Sequence, residues 1–218
     1  MDSRRLRGFP ILAAILLLLL TASVVLVPTF RRPILQAAGW ALVVDDPIGH
    51  ADIIVMAVDA GGAGVLEAAD LVHAGVAAGV GIFADLANPA AVEFIRRGSS
   101  YEDTAARSAR QLRSLGVMTI EQIPGTVTGT EAEVEILIEW CARHQYRSVV
   151  VVSNTDHSRR LRRVLRRSIR GHPLRVWVRS ARYSGFDPDR WWETRGGIRT
   201  EIEEFQKLLL DVARHPIS

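Results

Sequence analysis

The fold class is decided by the segment RSVVVVSNTDHSRR at positions 147–160. Its four consecutive valines form an apolar run that is typical of a strand buried on both faces of a parallel sheet. Arginines and apolar residues at helical spacing follow, until Gly171 and Pro173 stop the pattern. The segment therefore predicts a strand over 147–153 that leads into a helix over 156–170.

The same alternation of strand and helix extends in both directions from this segment. Apolar runs rich in Ile and Val predict strands, and periodic apolar residues predict helices between them. The further strands are expected at 51–58, 79–84, 118–123 and 174–180, and the further helices at 63–78, 90–97, 101–115, 131–143 and 197–213. This order predicts one α/β domain over 50–214, a Rossmann-like three-layer sandwich around a mainly parallel sheet.

Two of the predicted helices begin with residues that suit a capping role. Ser100 is followed three residues later by Asp103, at the start of the helix over 101–115. Thr130 and Glu133 have the spacing of a capping box, which by itself accounts for both residues.

The N-terminal region is expected to anchor the chain in a membrane. Residues 9–27 contain no charge, and at 1.5 Å per residue they span roughly 28 Å, close to the thickness of the hydrocarbon layer. A basic tail over 1–8 precedes them, and a linker is expected over 28–49. A cleaved signal peptide is the competing interpretation, but Leu20 would fit poorly three residues before the cleavage point.

The distribution of arginines predicts the orientation of this anchor. Three arginines lie before residues 9–27 and two follow in the sequence, so the positive-inside rule places the N-terminus in the cytoplasm. The protein is then a single-pass protein of the cell membrane, with its C-terminal domain outside the cytoplasm.

Composition excludes several classes of protein. The chain has 218 residues and a net charge of only +3, which is too small to indicate nucleic-acid binding. Of its 27 basic residues all but Lys207 are arginine. The single cysteine, Cys141, excludes an internal disulfide and a cysteine-based zinc site.

Ligands of open parallel sheets usually bind beyond the carboxyl ends of the strands. That rule selects Asp59, Gly61 and Gly62 after the first predicted strand, and Asp85 after the second. The glycines of DAGGAG (59–64) could present backbone N–H groups to an anion at a helix N-terminus. The alternative is a tight turn between strand and helix.

The polar residues after the 147–153 strand are the strongest candidates for chemistry. Ser153 and Asn154 follow the valines directly, and Asn154 or either of the two residues after it could cap the next helix. His157 and Arg160 lie one turn apart on the same side of that helix, where they could grip a phosphate or protonate a leaving group. The alternative is a surface histidine on a basic helix.

Three other features have both a functional and a structural interpretation. Glu131 is either an ordinary first-turn acid or a functional carboxylate. The arginines of 159–170 form either a solvated basic face or a surface for anionic lipid headgroups. The pair Trp191 and Trp192 could line a groove or lie at a membrane, or it could pack under the last helix, in which Glu204 and Lys207 have ion-pair spacing.

Several of these motifs, in this order, resemble the YdcF/SanA/ElyC family of bacterial proteins. The resemblance rests on GTEAE at 129–133, VVVVSNTDHSRR at 149–160, FDPDRWW at 186–192 and a terminal E-x-x-K helix, and it covers roughly 50–212. It implies a Rossmann-like fold and a role in the cell envelope, in peptidoglycan and lipid-carrier metabolism. The chain departs from the family at DAGGAG and at Ala84-Asp85-Leu86, where members carry Ser-Gly-Gly.

These observations support one main hypothesis and one rival. The main hypothesis is a membrane-anchored envelope protein that acts on a phosphate-bearing, lipid-linked ligand, with His157 as acid or base, Arg160 as phosphate clamp and Glu131 as supporting carboxylate. The other ligand-binding candidates are Asp59, Gly61, Gly62, Asp85, Thr130, Glu133, Ser153 and Asn154. The rival is a non-catalytic binding or scaffold protein that keeps the fold.

Cofactor and metal chemistry have weaker support. A nucleotide-type cofactor is disfavoured because GxGxxG is missing from the glycine-rich turn, and the sequence identifies no cofactor. Asp59, Asp85 and His157 could converge on a metal, but no ligand motif supports such a site, so none is predicted. The expected partners are the cell membrane, through 9–27, and an anionic lipid-linked ligand.

Overall fold

A computed structural model describes residues 28–84 and 89–216, which form an α/β structure with one sheet. The strands are β1 (Ile53–Met56), β2 (Gly79–Phe83), β3 (Thr119–Ile123), β4 (Ser148–Ser153) and β5 (Arg175–Ser180). The helices are α1 (Pro28–Trp40), α2 (Gly61–His73), α3 (Pro89–Arg96), α4 (Thr104–Ser114), α5 (Thr130–Arg143), α6 (Ser158–Ser168) and α7 (Arg195–Arg214), with 3₁₀ turns at Thr155–His157 and Trp191–Glu193.

The five strands are all parallel and lie in the order β3-β2-β1-β4-β5. This confirms the predicted α/β class, and the order is consistent with a Rossmann-like fold. The chain adds β2 and β3 on one side of β1 and then crosses to add β4 and β5 on the other. The strand order therefore reverses between β1 and β4, which is where ligands of such sheets bind.

Helices cover both faces of the sheet because alternate strand residues point to opposite faces. Ile53 and Val55 pack with Val134 of α5 and Leu161 of α6 in one core cluster. The second cluster joins Ile54 to residues of α2 and α4. The three layers expected from the sequence are therefore present in the described part of the chain.

The segment expected as a linker over 28–49 differs from that expectation, since α1 occupies its first part. Leu42 is buried, and the Val44 N–H donates to the Ser158 hydroxyl at 2.8 Å. Asp46 exchanges hydrogen bonds with the Val178 backbone at the open edge of β5. The unpaired edge of the last strand thus explains why this segment lies against the domain.

The arginines of α6 do not form the solvated face that is the default for such a helix. The structure pairs four of them with acidic groups of neighbouring segments. The ion pairs are Arg160–Glu204, Arg162–Asp46, Arg163–Asp211, Arg167–Asp211 and Arg167–Glu131. Most of the basic charge of α6 therefore serves to dock α7 and the segment before β1.

One smaller prediction is wrong, and the contacts of Trp191 favour one of the interpretations given above. Asp103, rather than Ser100, caps α4, and its carboxylate accepts a hydrogen bond from the Ala106 N–H. Trp191 is half-buried, and its indole N–H donates to the Leu35 carbonyl at 2.8 Å, which supports the packing interpretation.

The predicted basic tail over 1–8 and the anchor over 9–27 lie outside the described residues. Among 28–84 and 89–216, no helix combines the length and apolar character that crossing a membrane requires.

Candidate functional site at the ends of β1 and β4

The two neighbouring strands β1 and β4 bring together Asp59, Ser153 and Asn154, which the sequence selects as residues beyond the strand ends. The Ser153 hydroxyl donates to the Asp59 carboxylate at 3.3 Å, and the Asn154 N–H donates to the same carboxylate at 3.2 Å. The Asn154 side-chain amide donates to the Asp59 carbonyl at 2.8 Å. Asn154 therefore ties the two strand ends together instead of capping the helix that follows.

Glu133 reaches this strand end from the first turn of α5. Its carboxylate accepts a hydrogen bond from the Val58 N–H at 2.8 Å, and the residue is only 6% exposed. Burial raises the pKa of Glu133 to about 7, and the nearby Asp59 charge acts in the same direction, although the Val58 bond, His157 and Arg160 oppose it. A buried carboxyl group with a pKa near 7 can both donate and accept a proton at neutral pH.

The predicted capping box is wrong, and its two residues serve the site instead. Gly129 is the N-cap residue of α5 and has no side chain that could form a capping hydrogen bond. The Thr130 hydroxyl accepts from the Arg160 guanidinium at 2.7 Å, while Glu133 bonds to Val58. Both side chains point across to other elements, so they are not available to the orphan N–H groups of their own helix.

A histidine–carboxylate pair lies beside these residues. His157 is buried, and its Nδ1 lies 3.4 Å from the Glu204 carboxylate of α7. An ionised carboxylate only accepts hydrogen bonds, so Nδ1 carries the proton, and Nε2 of the neutral ring is then the basic atom. This arrangement is the one that orients a histidine for proton transfer.

Arg160 and Lys207 also bind the Glu204 carboxylate. The Arg160 Nε lies 3.1 Å from this carboxylate. The Lys207 ammonium lies 2.6 Å from it, as the sequence spacing of Glu204 and Lys207 predicts. Burial raises the pKa of Glu204, but the bonds from His157, Lys207 and Arg160 outweigh it and hold this pKa well below its usual range. Glu204 therefore stays ionised and fixes the imidazole, a role that the sequence alone did not assign.

Another buried acidic group of α7, Glu201, lies near the Asp156 carboxylate. Glu201 is 4% exposed, and its Oε2 has no hydrogen-bond partner within the described part of the chain. Burial, with the nearby Asp156 carboxylate, raises the pKa of Glu201 to about 7. Burial likewise raises the pKa of Asp156. The buried acids of the site therefore keep their protons to higher pH than ordinary carboxyl groups do.

A cavity of about 220 Å³ is lined by Val58 and by Gly61 of the glycine-rich turn. Gly61 lines this cavity and begins α2 with φ of +49°, a conformation that favours glycine. Ala60 provides no side-chain cap for α2, and a side chain at Gly62 would meet nothing within 4 Å. The start of α2 thus lies beside an open space. It also lies close in sequence to Val58, whose N–H donates to Glu133.

Three other predicted residues have different outcomes. Glu131 is exposed and forms an ion pair with Arg167 at 2.9 Å. Arg167 does not belong to the cluster around Glu133 and His157. Arg160 is joined to Glu204 and Thr130, which makes it part of the scaffold that positions His157. Asp85 lies outside the described residues.

The described residues contain no group of three or more His, Cys, Asp or Glu side chains that could hold a metal ion. Comparison with family models and with curated protein sequences finds no match for this chain.

Proposed function

We propose that this protein binds a phosphate-bearing ligand at the carboxyl ends of β1 and β4, with the phosphate at the start of α2, and that Glu133 and His157 exchange protons with it. The observation that carries the proposal is the juxtaposition at Val58. The cavity wall includes Val58 and Gly61 at the start of α2, and the Val58 N–H donates to Glu133, which does not itself line the cavity. The start of a helix attracts anions, and a carboxyl group of raised pKa supplies a proton at neutral pH.

The charges of the cluster limit what such a ligand can be. Asp59 and Glu204 are carboxylates, and the two cations nearest to them, Arg160 and Lys207, are already bound to Glu204. The phosphate is therefore expected to lie at the start of α2, away from the carboxylates of Asp59 and Glu204. Its ester oxygen is expected to face Glu133. The neutral form of Glu133 can donate to that oxygen, whereas the ionised form would repel it.

The cellular setting of the proposal comes from the sequence. The uncharged segment over 9–27 and the resemblance to the YdcF/SanA/ElyC family support a membrane-anchored protein of the cell envelope, whose phosphate-bearing ligand is lipid-linked. The rival is a scaffold protein that keeps the fold without binding such a ligand.

The proposal is tested by thermal shift on the full chain with geranyl phosphate, a short isoprenyl phosphate, and with geraniol as the uncharged control. A ligand at 100 times its Kd stabilises the folded state by about 2.7 kcal/mol. The decisive variant is Gly62→Asp, which places a negative charge at the start of α2, where it suits the helix dipole but competes with a phosphate. Gly185→Asp is the matched control, because a side chain there also meets nothing within 4 Å.

We expect geranyl phosphate, but not geraniol, to raise the melting temperature of the wild type and of Gly185→Asp. Gly62→Asp should fold normally and lose the shift. Equal shifts in both variants, or no shift in the wild type, would contradict the proposal, and the scaffold interpretation would then be preferred.

A further inference from the structure

Another cavity lies at the edge of the sheet opposite to the candidate site. It has a volume of about 440 Å³ and is formed where α5 ends and where β4 and β5 begin. Ile138, Cys141 and Leu174 form apolar parts of its wall. Burial raises the pKa of the Cys141 thiol to about 12, so this side chain is neutral and behaves as a small apolar group. The volume and lining are those of a small-molecule site.

One residue of this cavity adopts a backbone conformation that its side chain makes costly. Gln145 has φ of +60°, in the left-handed region that favours glycine, and it also lines the cavity. Among the described residues it is the only one other than glycine with positive φ. A side chain in this region costs about 1–2 kcal/mol relative to the ordinary helical conformation.

The other helices of the chain show that glycine is the ordinary choice at this position. The residues two places after the ends of α2, α3 and α4 are Gly75, Gly98 and Gly116, all with positive φ. Each of these turns closes with the same two backbone hydrogen bonds that Gln145 and Tyr146 make to Ala142 and Cys141. The same turn occurs four times, and only the copy at the cavity carries a side chain.

The polar groups around Gln145 indicate the chemistry of a ligand. Arg147 and His172 are both exposed residues that line the cavity, and neither side chain has a hydrogen bond or ion pair with the described residues. A guanidinium and an imidazole on one wall suit a single anionic group, while the apolar wall suits a hydrocarbon or aromatic body.

We propose that this cavity is a second binding site, for a small molecule that joins an apolar body to one carboxylate or phosphate. Gln145 supplies an amide that can donate to the ligand, and Arg147 with His172 binds the anion. The site lies at the opposite edge of the sheet from Glu133 and does not depend on the function proposed above.

The test uses the full chain with two probes that share one apolar body, 4-phenylbutyrate and 4-phenylbutylamine. Binding is measured by isothermal titration calorimetry for the wild type, Gln145→Gly and Arg147→Gln. Arg113→Gln is the control, because Arg113 is an exposed arginine on α4 whose side chain also has no partner among the described residues. The melting temperature of each variant is measured without ligand.

We expect the wild type to bind 4-phenylbutyrate in preference to 4-phenylbutylamine, and Arg147→Gln to weaken that binding about tenfold. Gln145→Gly should weaken binding and yet raise the melting temperature by about 2–4 °C, since it relieves the left-handed strain. Arg113→Gln should bind as the wild type does. The proposal is overturned if neither probe binds, if the amine binds as well as the acid, or if Gln145→Gly binds unchanged.

Discussion

The backbone N–H of Val58 donates to the carboxylate of Glu133 at 2.8 Å, which fixes an acid from α5 at the carboxyl end of β1. Val58 follows the first strand of the sheet, and Glu133 lies in the first turn of a helix that is 75 residues further along the chain. The bond places a carboxyl group of raised pKa at the point where the strand order reverses. The predictions below follow from the groups that surround this bond.

The stability of the protein should fall between pH 5 and pH 8 because of Glu133. Its pKa is about 7 in the folded state and near the ordinary 4.5 in the unfolded state, so the folded state binds more protons in this range. The stabilisation is complete below pH 4.5 and is lost as the pH rises through 7. Glu133→Gln removes this titration and should make the loss about 2 kcal/mol smaller. Urea unfolding at the two pH values measures the difference, and equal losses would contradict the assignment.

Removal of the Glu204 charge should cost much more stability than removal of its exposed partner. Glu204→Gln leaves the Arg160 guanidinium, which is 17% exposed, without its carboxylate, and the expected loss is about 3 kcal/mol. Lys207→Met is the control, because the Lys207 side chain is 53% exposed and its ion pair contributes little. The variants are compared by urea unfolding at pH 7.

The pH dependence of Glu204 has the opposite sign to that of Glu133. Its pKa is lowered on folding, so its stabilisation is present above pH 4.5 and is lost as the pH falls below that value. The stability difference between the wild type and Glu204→Gln should therefore shrink on acidification. A constant difference from pH 7 to pH 3 would show that Glu204 does not bind these cations.

On the opposite face of the sheet, Glu67 is the acid whose substitution should destabilise the fold most. It is completely buried in α2 and accepts hydrogen bonds from Arg179 and Arg182 at 2.8 Å each. Glu67→Gln removes the buried charge that both guanidiniums share, although Arg179 keeps its ion pair with Asp45 and Arg182 keeps its ion pair with Asp70. The free energy of unfolding should therefore fall by about 2 kcal/mol. Glu93→Gln removes an acid that also pairs with two arginines but lies on the surface, and it should leave the urea midpoint unchanged.

The close approach of Gly64 to Ala60 should make Gly64 intolerant of any side chain. A Cβ at Gly64 would clash with the Ala60 side chain and would lie 3.4 Å from Met56 of β1, and overpacking of this kind costs about 1–3 kcal/mol. Gly196→Ala is the control, because a Cβ there meets nothing within 4 Å and alanine favours the helical conformation of α7. Thermal unfolding should therefore shift downwards for the first variant and slightly upwards for the second.

The strands and helices could be predicted from local patterns because each pattern has a local physical cause. The buried valines of β4 and the periodic apolar residues of the helices gave the order of the elements. The end of α2 was placed five residues too late, since Ala74 and Gly75 turn the chain after His73. Asp59, Ser153 and Asn154 could be selected because each follows a predicted strand, where ligands of parallel sheets bind, whereas their contact depends on the strand order.

The rest of the site could not be predicted because it depends on contacts between distant segments. Glu204 acts on His157 across 47 residues, and no local spacing indicates that pair. Glu131 and Glu133 are equivalent in the sequence, and only the packing of α5 shows that Glu133 is buried while Glu131 faces Arg167. A capping box accounts for Thr130 and Glu133 by local spacing, and only the structure shows that their side chains bind Arg160 and Val58 instead.

The protonation of Glu133 is the property on which the proposed chemistry depends, and it can be measured directly. The full chain is labelled with ¹³C at the glutamate carboxyl carbons and titrated by NMR, with Glu133→Gln used to assign the resonance. The account predicts that the Glu133 signal titrates with a midpoint near pH 7, as burial requires. A midpoint near 4.5 would show an ordinary solvated carboxylate and would contradict a proton donor at this strand end.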